Sequence, residues 1–570
     1  MMITGDRIYT HSTVKAERGV CAAGSPQAAE AGVRIMKAGG NAMDGITAAA
    51  FTAFVTEQAY CGLGGYAHIS VWMADYGRFV SFDAYGRAPL AATPDMFEPD
   101  DDGVPTYYGH PYTQGNKAKH GALAPAVPGA VAGFYEAHSR FGRLPFAQVL
   151  EPAIEAAENG VPFTWFDSQS IAAMIDPIKA IPGSAEALLP GGKPPVADFN
   201  DPVGVMRDTR ALARTLKTIA AKGRIGFTLG KVAKAIAAHV KAIGGILTAE
   251  DLAKYKVRVL HEAPSRYRGH DYVACYDQVA YEALNILEHY DLRAYGAHSF
   301  EYRHLVAEAL ALAFSDSMTH YGDPDFVASP VEGLTNPAFA ATRRKLMRLR
   351  KAMDRPVPAG DPWAFDPGHP GSGGAATEPS TARRPGTTQA AVADRFGNMA
   401  SVCMSLGSGY GSLVYVPEIG IFLNNAMQNF DPRPGLPASI APGKMPIFAA
   451  PALVATKGGK ARFAASGSGG YRIETGVLHT FMNLVDHRMK LQNAVDHPRV
   501  HCQGNETFVD RRIAENLRQR LAKAGHDVTL AEERPDRMAF GRVSAVAANP
   551  RRGTLTAAAG PSWNTAIAGY

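Results

Sequence analysis

A change in composition and in sequence period near residue 386 constrains the fold more than any other feature of this 570-residue chain. Residues 354–386 contain seven prolines and six glycines but few large apolar side chains, so we expect an exposed, mobile linker there. After it, residues 387–393 and 399–405 read as two strands around a turn at 394–398, which predicts a hairpin. The region from about 120 to 350 instead shows helical spacing of apolar residues. The sequence therefore predicts a mainly helical middle and a sheet-rich last third.

The overall composition excludes several classes of protein. Hydrophobic residues make up 46% and charged residues 19% of the chain, which is typical of a globular protein. A net charge of +5 is too small for this length to indicate a nucleic-acid partner. The five cysteines form no C-x-x-C pair and indicate neither a disulfide framework nor a zinc ribbon. No apolar run is long enough to cross a membrane, and the start lacks an apolar signal segment, so we expect a cytoplasmic location.

The junction between the linker and the hairpin carries the residues that a self-cleaving nucleophile needs. The Thr387 hydroxyl can attack the carbonyl of Gly386, where no Cβ hinders the approach. Hydrolysis of the resulting ester would give Thr387 a free α-amine, whose ordinary pKa of about 7.7–8.0 suits a general base at neutral pH. The alternative is that two threonines open a strand simply because threonine favours strands.

A second candidate element is the pair Gly469–Gly470 before a predicted helix at 472–485. Backbone N–H groups at such a place can stabilise an oxyanion, although a glycine-rich turn is the simpler interpretation. The sequence contains no G-x-S-x-G nucleophile elbow, no H-E-x-x-H motif and no phosphate-binding loop. It therefore predicts neither a metal nor a cofactor.

The ordered set of short motifs along the chain resembles the γ-glutamyltranspeptidase family of N-terminal nucleophile hydrolases. Single motifs of the set are common, but their order over nearly the whole chain is specific. The matching segments are residues 28–44, 62–65, 88–89, 387–388, 394, 397–398, 420–425, 430, 434–435, 442–444, 450–451, 469–470, 472–473 and 569–570.

This resemblance implies a fold, a processing event and a set of roles. The fold would be an α+β, four-layer αββα sandwich with a mainly helical middle region in the large chain. Cleavage between Gly386 and Thr387 would give a large chain (1–386, ending in the linker 354–386) and a small catalytic chain (387–570). The two chains would stay associated, and two such pairs could form a dimer. Thr387 would be the nucleophile and base, Ser405 would orient it, and Gly469 and Gly470 would form the oxyanion hole.

The chain departs from the family where the transpeptidases hold the γ-glutamyl group. Tyr85 aligns with the arginine that binds the α-carboxylate, and Arg87 lies two residues later as a possible substitute. Elsewhere Gly407 replaces an asparagine and Asn429 replaces the acidic residue that binds the α-amine. The other substrate-binding candidates are Gln428, beside the changed Ala426, and Phe448, which with Ile447 replaces a pair of serines. Burying a glutamyl zwitterion without its partners would cost several kcal/mol.

These observations predict an autoprocessed amidohydrolase or acyltransferase that cleaves a small amide or N-acyl substrate through an acyl-enzyme on Thr387. The acyl group would be less polar than glutamate, or would carry one carboxylate near Arg87. One alternative is a γ-glutamyltransferase or glutathione hydrolase in which other residues hold the γ-glutamyl group. Others are a non-catalytic binding or scaffold relative and a serine amidase built around Ser466 and Ser468. The expected partners are the substrate and the two chains of the precursor, with no nucleic acid or membrane.

Overall fold

Two antiparallel sheets, each seven-stranded in the described part of the chain, form the centre of the fold. The computed structural model describes residues 13–100, 106, 109–196, 204–367, 386–447, 450–534, 538–561 and 563–570. The strands are β1 (Val14–Ala16), β2 (Gly19–Ala23), β3 (Tyr66–Met73), β4 (Arg78–Ala84), β5 (Pro99–Asp100), β6 (Tyr112–Thr113), β7 (Val161–Pro162), β8 (Met206–Arg207), β9 (Arg258–Leu260), β10 (Ser265–Tyr267), β11 (His270–Val273), β12 (Gly386–Asp394), β13 (Met399–Gly407), β14 (Tyr415–Val416), β15 (Ile421–Phe422), β16 (Leu453–Lys457), β17 (Lys460–Ser468), β18 (Val500–Cys502), β19 (Glu506–Asp510), β20 (Asp527–Ala531), β21 (Arg542–Asn549), β22 (Thr554–Ala559) and β23 (Ala566–Gly569).

Helices cover the sheets and fill the middle of the chain. They are α1 (Pro26–Lys37), α2 (Ala42–Thr56), α3 (Ala130–Phe141), α4 (Phe146–Val149), α5 (Glu151–Asn159), α6 (Trp165–Ala172), α7 (Ile175–Lys179), α8 (Pro182–Leu188), α9 (Arg210–Lys222), α10 (Ile225–Thr228), α11 (Gly230–Ala242), α12 (Ala249–Lys254), α13 (Gln278–Leu287), α14 (Leu292–Tyr295), α15 (Phe300–His320), α16 (Val331–Thr335), α17 (Pro337–Arg344), α18 (Arg472–Val485), α19 (Leu491–Asp496) and α20 (Glu515–Lys523). Short 3-10 turns occur at Gln114–Asn116, Pro190–Gly192, Trp363–Phe365 and Ala426–Asn429.

The two sheets stack face to face between two layers of helices. Sheet 1 has the strand order β23-β2-β12-β13-β3-β4-β9, and sheet 2 has the order β1-β22-β21-β17-β16-β11-β10. Side chains such as Val20, Ala391 and Val454 pack between the sheets. One apolar cluster joins sheet 1 to α1, α2 and α3, and another joins sheet 2 to α13, α15 and α18. The predicted α+β fold with four αββα layers is therefore confirmed.

The strand β12 and the helix α2 show why these residues take a central place. All nine residues of β12 are buried, because sheet 2 covers one of its faces and α2 packs on the other. Asn41 caps the N-terminus of α2 in a capping box with Asp44, and 14 of the 15 residues of the helix are buried. Small alanines let this helix approach the sheet closely. An apolar segment without a polar face is typical of such a buried helix.

Several strands were not predicted from the sequence. The strand β2 consists of Gly19, Val20, Cys21 and two alanines, so it lacks the branched and aromatic residues that identify strands. The strands β9, β10 and β11 interrupt the region predicted to be mostly helical. The glycine-rich residues 466–468 belong to β17, where a Cβ on Gly467 would lie 2.8 Å from the Arg542 carbonyl oxygen. The sequence identified the major helices but missed short strands and strands that lack branched and aromatic residues.

The first part of the predicted linker is held against α15. Ser315 Oγ donates to the Val357 carbonyl oxygen at 2.7 Å, and the Gly360 N–H donates to Asp316 Oδ1 at 2.6 Å. Polar groups of α15 thus bind the backbone of this segment, while several of its side chains are exposed. The exposed, mobile linker stays a prediction. Residues 368–385 of the linker lie outside the described residues. Among the residues described, no helix has the length and apolar character that crossing a bilayer requires.

Candidate active site

The strands β12 and β13 place Thr387 opposite Ser405 at the end of the central hairpin. Thr387 Oγ1 lies 3.0 Å from Ser405 Oγ, and both residues are buried. Ser405 Oγ donates to the Gly386 carbonyl oxygen at 2.7 Å and accepts from the Gly407 N–H at 2.8 Å. Because a serine hydroxyl has only one proton, the Thr387 hydroxyl is the donor to Ser405 Oγ. A continuous hydrogen-bond chain thus runs from the Thr387 hydroxyl to the carbonyl oxygen of the preceding residue.

Two glycines make this geometry possible. The pairing register shifts between Gly386 and Thr387, so Gly386 lies opposite Gly407. A Cβ on Gly386 would lie 2.3 Å from the Ser408 carbonyl carbon. Gly407 has φ +100°, and a Cβ there would lie 1.9 Å from Asn425 Oδ1. A Cβ at Gly386 would require the facing backbone to move, whereas one at Gly407 would displace the Asn425 side chain and strain the backbone at positive φ.

The Gly469–Gly470 pair lies between β17 and α18, as the sequence predicted. Their φ values are +136° and +59°, which glycine adopts without strain. Their carbonyl oxygens accept from the N–H groups of Arg472 and Ile473 in the first turn of α18. Within the described residues, the N–H groups of the two glycines make no hydrogen bond to the protein backbone. Their role as oxyanion donors stays a prediction.

A neutral group of side chains adjoins Ser405. Asn429 Nδ2 donates to the Tyr85 hydroxyl, and the rings of Tyr85 and Tyr66 lie 4.2 Å apart between centroids. Burial raises the pKa of the Tyr66 hydroxyl to about 12, although hydrogen bonds with Ser405 and Tyr85 oppose this rise. We name Tyr66, Tyr85 and Asn429 the tyrosine–asparagine cluster. In this cluster, Tyr85 and Asn429 are the residues predicted to replace the family's charged groups for the substrate α-carboxylate and α-amine. The cluster carries no formal charge at neutral pH.

Gln428 belongs to the surroundings of Gly407. Gln428 Nε2 donates to Ser408 Oγ at 3.1 Å and to Asn425 Oδ1 at 2.8 Å. Asn425 Oδ1 also accepts from the Ser408 N–H at 3.0 Å. This amide network occupies the space beside Gly407, where the family has an asparagine side chain.

In the structure, Arg87 contacts other residues than the tyrosine–asparagine cluster. Arg87 Nη1 donates to the Gly443 carbonyl oxygen at 3.3 Å, and the residue lines a cavity of about 440 Å³ with Tyr255 and Arg258. The residues lining that cavity include neither Thr387 nor Ser405. A grip of Arg87 on a substrate carboxylate stays a prediction. Phe448, the remaining substrate-binding candidate, lies outside the described residues.

Three residues around the nucleophile were missed in the sequence. Arg542 donates to the Thr387 carbonyl oxygen at 3.4 Å, and Thr388 Oγ1 donates to Glu57 Oε2 at 2.5 Å. Tyr66 reaches Ser405 from the neighbouring strand β3. The available signal was weak: Arg542 is a charged residue in a strand-like run, and Glu57 is an isolated acid at the end of an alanine-rich helix.

One group of metal-ligating side chains lies away from this site. Donor atoms of His304, Glu308 and His526 lie within 4.8 Å of one another. However, His304 Nδ1 and His526 Nε2 are 2.7 Å apart, a hydrogen-bond distance, and Glu308 pairs with Arg355 at 2.5 Å. Protein groups already satisfy these atoms, so the donor set does not fit a metal well. The absence of a metal requirement stays a prediction.

Comparisons with known proteins place nearly the whole chain in one family. The γ-glutamyltranspeptidase family model matches residues 28–570. The chain is 37% identical to the acylase ACY 1 proenzyme of Pseudomonas sp. (strain SE83), over 95% of this chain and 92% of the acylase. It is 29% identical to the glutathione hydrolase proenzyme of Bacillus subtilis (strain 168), over 97% of this chain and 91% of the hydrolase.

Among solved structures, cephalosporin acylase from Bacillus halodurans is similar with a TM-score of 0.85 and 28% identity, covering 100% of this chain and 99% of the acylase. The family hydrolyses or transfers acyl groups at C–N bonds, so the chain is an enzyme of that class. The resemblance found in the sequence is confirmed: the chain belongs to the γ-glutamyltranspeptidase family.

Proposed function

We propose that this precursor cleaves itself between Gly386 and Thr387, and that Thr387 then transfers the acyl group of a weakly polar amide to water or to an amine. The observation that carries the proposal is the hydrogen-bond chain from Thr387 Oγ1 through Ser405 Oγ to the Gly386 carbonyl oxygen. It joins the attacking hydroxyl to the carbonyl that is attacked. Both curated relatives named above are proenzymes, which supports cleavage.

The cleavage follows from this geometry as an acyl shift and a hydrolysis. Thr387 Oγ1 attacks the Gly386 carbonyl carbon, and its proton moves to Ser405 Oγ while the Ser405 proton moves to the Gly386 oxygen. The C–N bond then breaks, the proton passes to the departing nitrogen, and an ester joins Gly386 to the Thr387 side chain. Water hydrolyses this ester to a Gly386 carboxylate and a Thr387 residue with a free hydroxyl and α-amine.

In the processed enzyme, the same residue supplies the nucleophile and the base. The neutral α-amine of Thr387 takes the hydroxyl proton as the oxygen attacks the substrate amide. The N–H groups of Gly469 and Gly470 would stabilise the oxyanion of the tetrahedral intermediate. The leaving amine takes the proton from the Thr387 nitrogen, and water or a second amine then releases the acyl group. Ser405 would hold the hydroxyl in position through its contact at 3.0 Å.

The tyrosine–asparagine cluster supports an acyl group without the α-ammonium and α-carboxylate of glutamate. Its hydrogen-bonding groups suit neutral polar atoms, and its two tilted tyrosine rings suit apolar ones. Losing one charged contact to a buried ionic group costs about 2–5 kcal/mol. The identity of 37% to the acylase exceeds the identities to the glutathione hydrolases compared, which reach 32%, and this supports the same conclusion. We therefore propose an acylase-like substrate class.

The substrate class is tested with chromogenic anilides. We expect kcat/KM for glutaryl- or butyryl-anilide to exceed that for γ-glutamyl-anilide by about 30-fold or more, which corresponds to about 2 kcal/mol. Steady-state hydrolysis at equal enzyme concentration measures the ratio. Equal kcat/KM values for the acyl-anilides and γ-glutamyl-anilide would instead support a γ-glutamyltransferase in which other residues hold the γ-glutamyl group.

Two variants serve as matched controls for that comparison. The double variant Tyr85→Arg/Asn429→Asp rebuilds an ionic pair in the cluster and should move the ratio toward γ-glutamyl-anilide. Arg87→Ala should leave kcat/KM for butyryl-anilide unchanged, because the residues lining the cavity at Arg87 include neither Thr387 nor Ser405. A loss confined to glutaryl-anilide in Arg87→Ala would show that this arginine does bind a substrate carboxylate.

The need for glycine at the cleavage site gives a further test. We expect Gly386→Ala to slow precursor cleavage at least about tenfold, because overpacking costs about 1–3 kcal/mol and the added Cβ displaces the attacked carbonyl. Gly62→Ala is the control, since among the described residues its Cβ would meet only the Leu406 side chain, at 3.8 and 3.9 Å. Gel densitometry of freshly purified precursor measures both rates. Equal rates for the two variants would mean that the Gly386 site has more room than the structure indicates.

The non-catalytic alternative predicts an uncut, inactive wild-type chain on the same gels.

A cytoplasmic location and a dimer of processed pairs are further proposals from the sequence. Cell fractionation and light scattering of the processed protein test them.

A further inference from the structure

Arg542 joins the two halves of the candidate active site. Its side chain is almost fully buried, with 1% exposure. Its Nε donates to Ser468 Oγ at 3.0 Å, and its Nη2 donates to Thr388 Oγ1 at 3.0 Å and to the Thr387 carbonyl oxygen at 3.4 Å. One rigid guanidinium therefore contacts the residue before Gly469 and both threonines that open β12.

These contacts cross the interface between the two sheets. Arg542 begins β21 and Ser468 ends β17, both in sheet 2, whereas Thr387 lies on β12 of sheet 1. The guanidinium is planar and presents its N–H groups at fixed angles, so it fixes distance and orientation together. In the described part, no other charged side chain donates to the Thr387 carbonyl oxygen.

The surroundings of Arg542 hold it in one position. The guanidinium stacks over the Trp563 ring at 4.3 Å. The Thr388 hydroxyl oxygen accepts a hydrogen bond from Arg542, and the same hydroxyl donates to Glu57 Oε2 at 2.5 Å. Thr388 therefore links Arg542 to Glu57 through two successive hydrogen bonds. Burial lowers the pKa of the guanidinium, and the charge of Glu57 opposes that effect. A buried cation held by an aromatic ring, three acceptor oxygens and a nearby acid has little freedom to move.

We propose that Arg542 is a positioning residue that sets the distance between the Thr387 nucleophile and the Gly469–Gly470 loop. It acts through Thr387, Thr388 and Ser468 and does not touch the substrate. The proposal rests on the proposed function, since it assumes that Thr387 attacks and that the loop stabilises the oxyanion. A misplacement of about 1 Å between such groups costs on the order of 100-fold in rate.

The test separates positioning from binding and from folding. Arg542→Gln should lower kcat on the preferred anilide by about 100-fold and leave KM within about threefold of wild type. Arg542→Lys should recover part of the loss, because an ammonium restores the charge but not the fork of donors. If Arg542→Gln is not processed, the rate of precursor cleavage replaces kcat as the measured quantity.

Chemical rescue adds a readout that a purely structural residue would not give. Arg542 lines a cavity of about 310 Å³ together with Glu57 and Trp563, which offers a path for a small cation. Methylguanidinium should therefore raise the activity of Arg542→Ala at least about tenfold. Arg303→Gln is the matched control, because Arg303 is also buried but, among the described residues, donates only to the Ala297 and Ser299 carbonyl oxygens. The drop in the melting temperature of Arg303→Gln measures how much stability is lost when a buried guanidinium is removed.

Three results would overturn the inference: kcat of Arg542→Gln within about threefold of wild type, a rise in KM that accounts for the loss, or no response of folded Arg542→Ala to methylguanidinium. Failure of the proposed function looks different, because the wild-type chain itself would then remain uncut and inactive. A cleaved, active wild type with a fully active Arg542→Gln would refute only the role of Arg542.

Discussion

Replacing Thr387 with alanine should leave a single full-length chain of 60.6 kDa and abolish amide hydrolysis. The variant lacks the oxygen that attacks Gly386, so neither the ester nor a new terminus forms. It also lacks the nucleophile for the substrate, so we expect activity to fall by at least about 10⁴-fold. A denaturing gel of the purified protein and anilide hydrolysis at high enzyme concentration measure the two effects.

Thr387→Ser is the control for this prediction, because it keeps a hydroxyl at the same place. We expect it to be cleaved into the same two chains and to retain measurable activity. Mass spectrometry of active wild-type protein should find a fragment that begins with TTQAA. Active full-length Thr387→Ala, or active wild type without that fragment, would refute Thr387 as the nucleophile.

The contact between Thr387 and Ser405 could be read from the sequence because a single hairpin contains both residues. The turn at 394–398 brings Ala393 opposite Met399, and counting back along the strands brings Thr387 opposite Ser405. The helix α2 was equally readable, since Asn41 and Asp44 mark its start and its apolar run is continuous. Local signals predicted the hairpin, whereas the role of Ser405 came from the family resemblance.

The remaining parts of the site depend on contacts between distant segments. Glu57 meets Thr388 across 331 positions, and Arg542 meets Thr387 across 155. No pattern within β21 indicates that its first residue faces β12, because that depends on how the two sheets stack. The different surroundings of Tyr85 and Arg87 illustrate the same limit. Both follow β4, yet Tyr85 contacts Asn429 while Arg87 contacts Gly443.

The role of Ser405 gives the second large effect. We expect Ser405→Ala to slow precursor cleavage by about 10²–10³-fold, because the variant loses the donor to the Gly386 carbonyl oxygen. The Thr387 hydroxyl also loses its acceptor at 3.0 Å and with it the path for its proton. The rate is measured as conversion of purified precursor to two chains. Ser405→Thr, which keeps the hydroxyl, should be cleaved at a rate near that of wild type.

Ser401→Ala separates this chemistry from the cost of losing a buried hydroxyl. Ser401 lies four residues earlier on β13 and on the same side of the strand, and its hydroxyl is buried without a hydrogen-bond partner among the described residues. Its removal should therefore leave cleavage almost unchanged. If Ser405→Ala cleaved as fast as Ser401→Ala, the Gly386 oxyanion would need another donor. Because Ser405 Oγ is the side-chain donor that the described structure gives to that oxygen, such a result would mean that cleavage starts from a different conformation of residues 386–387.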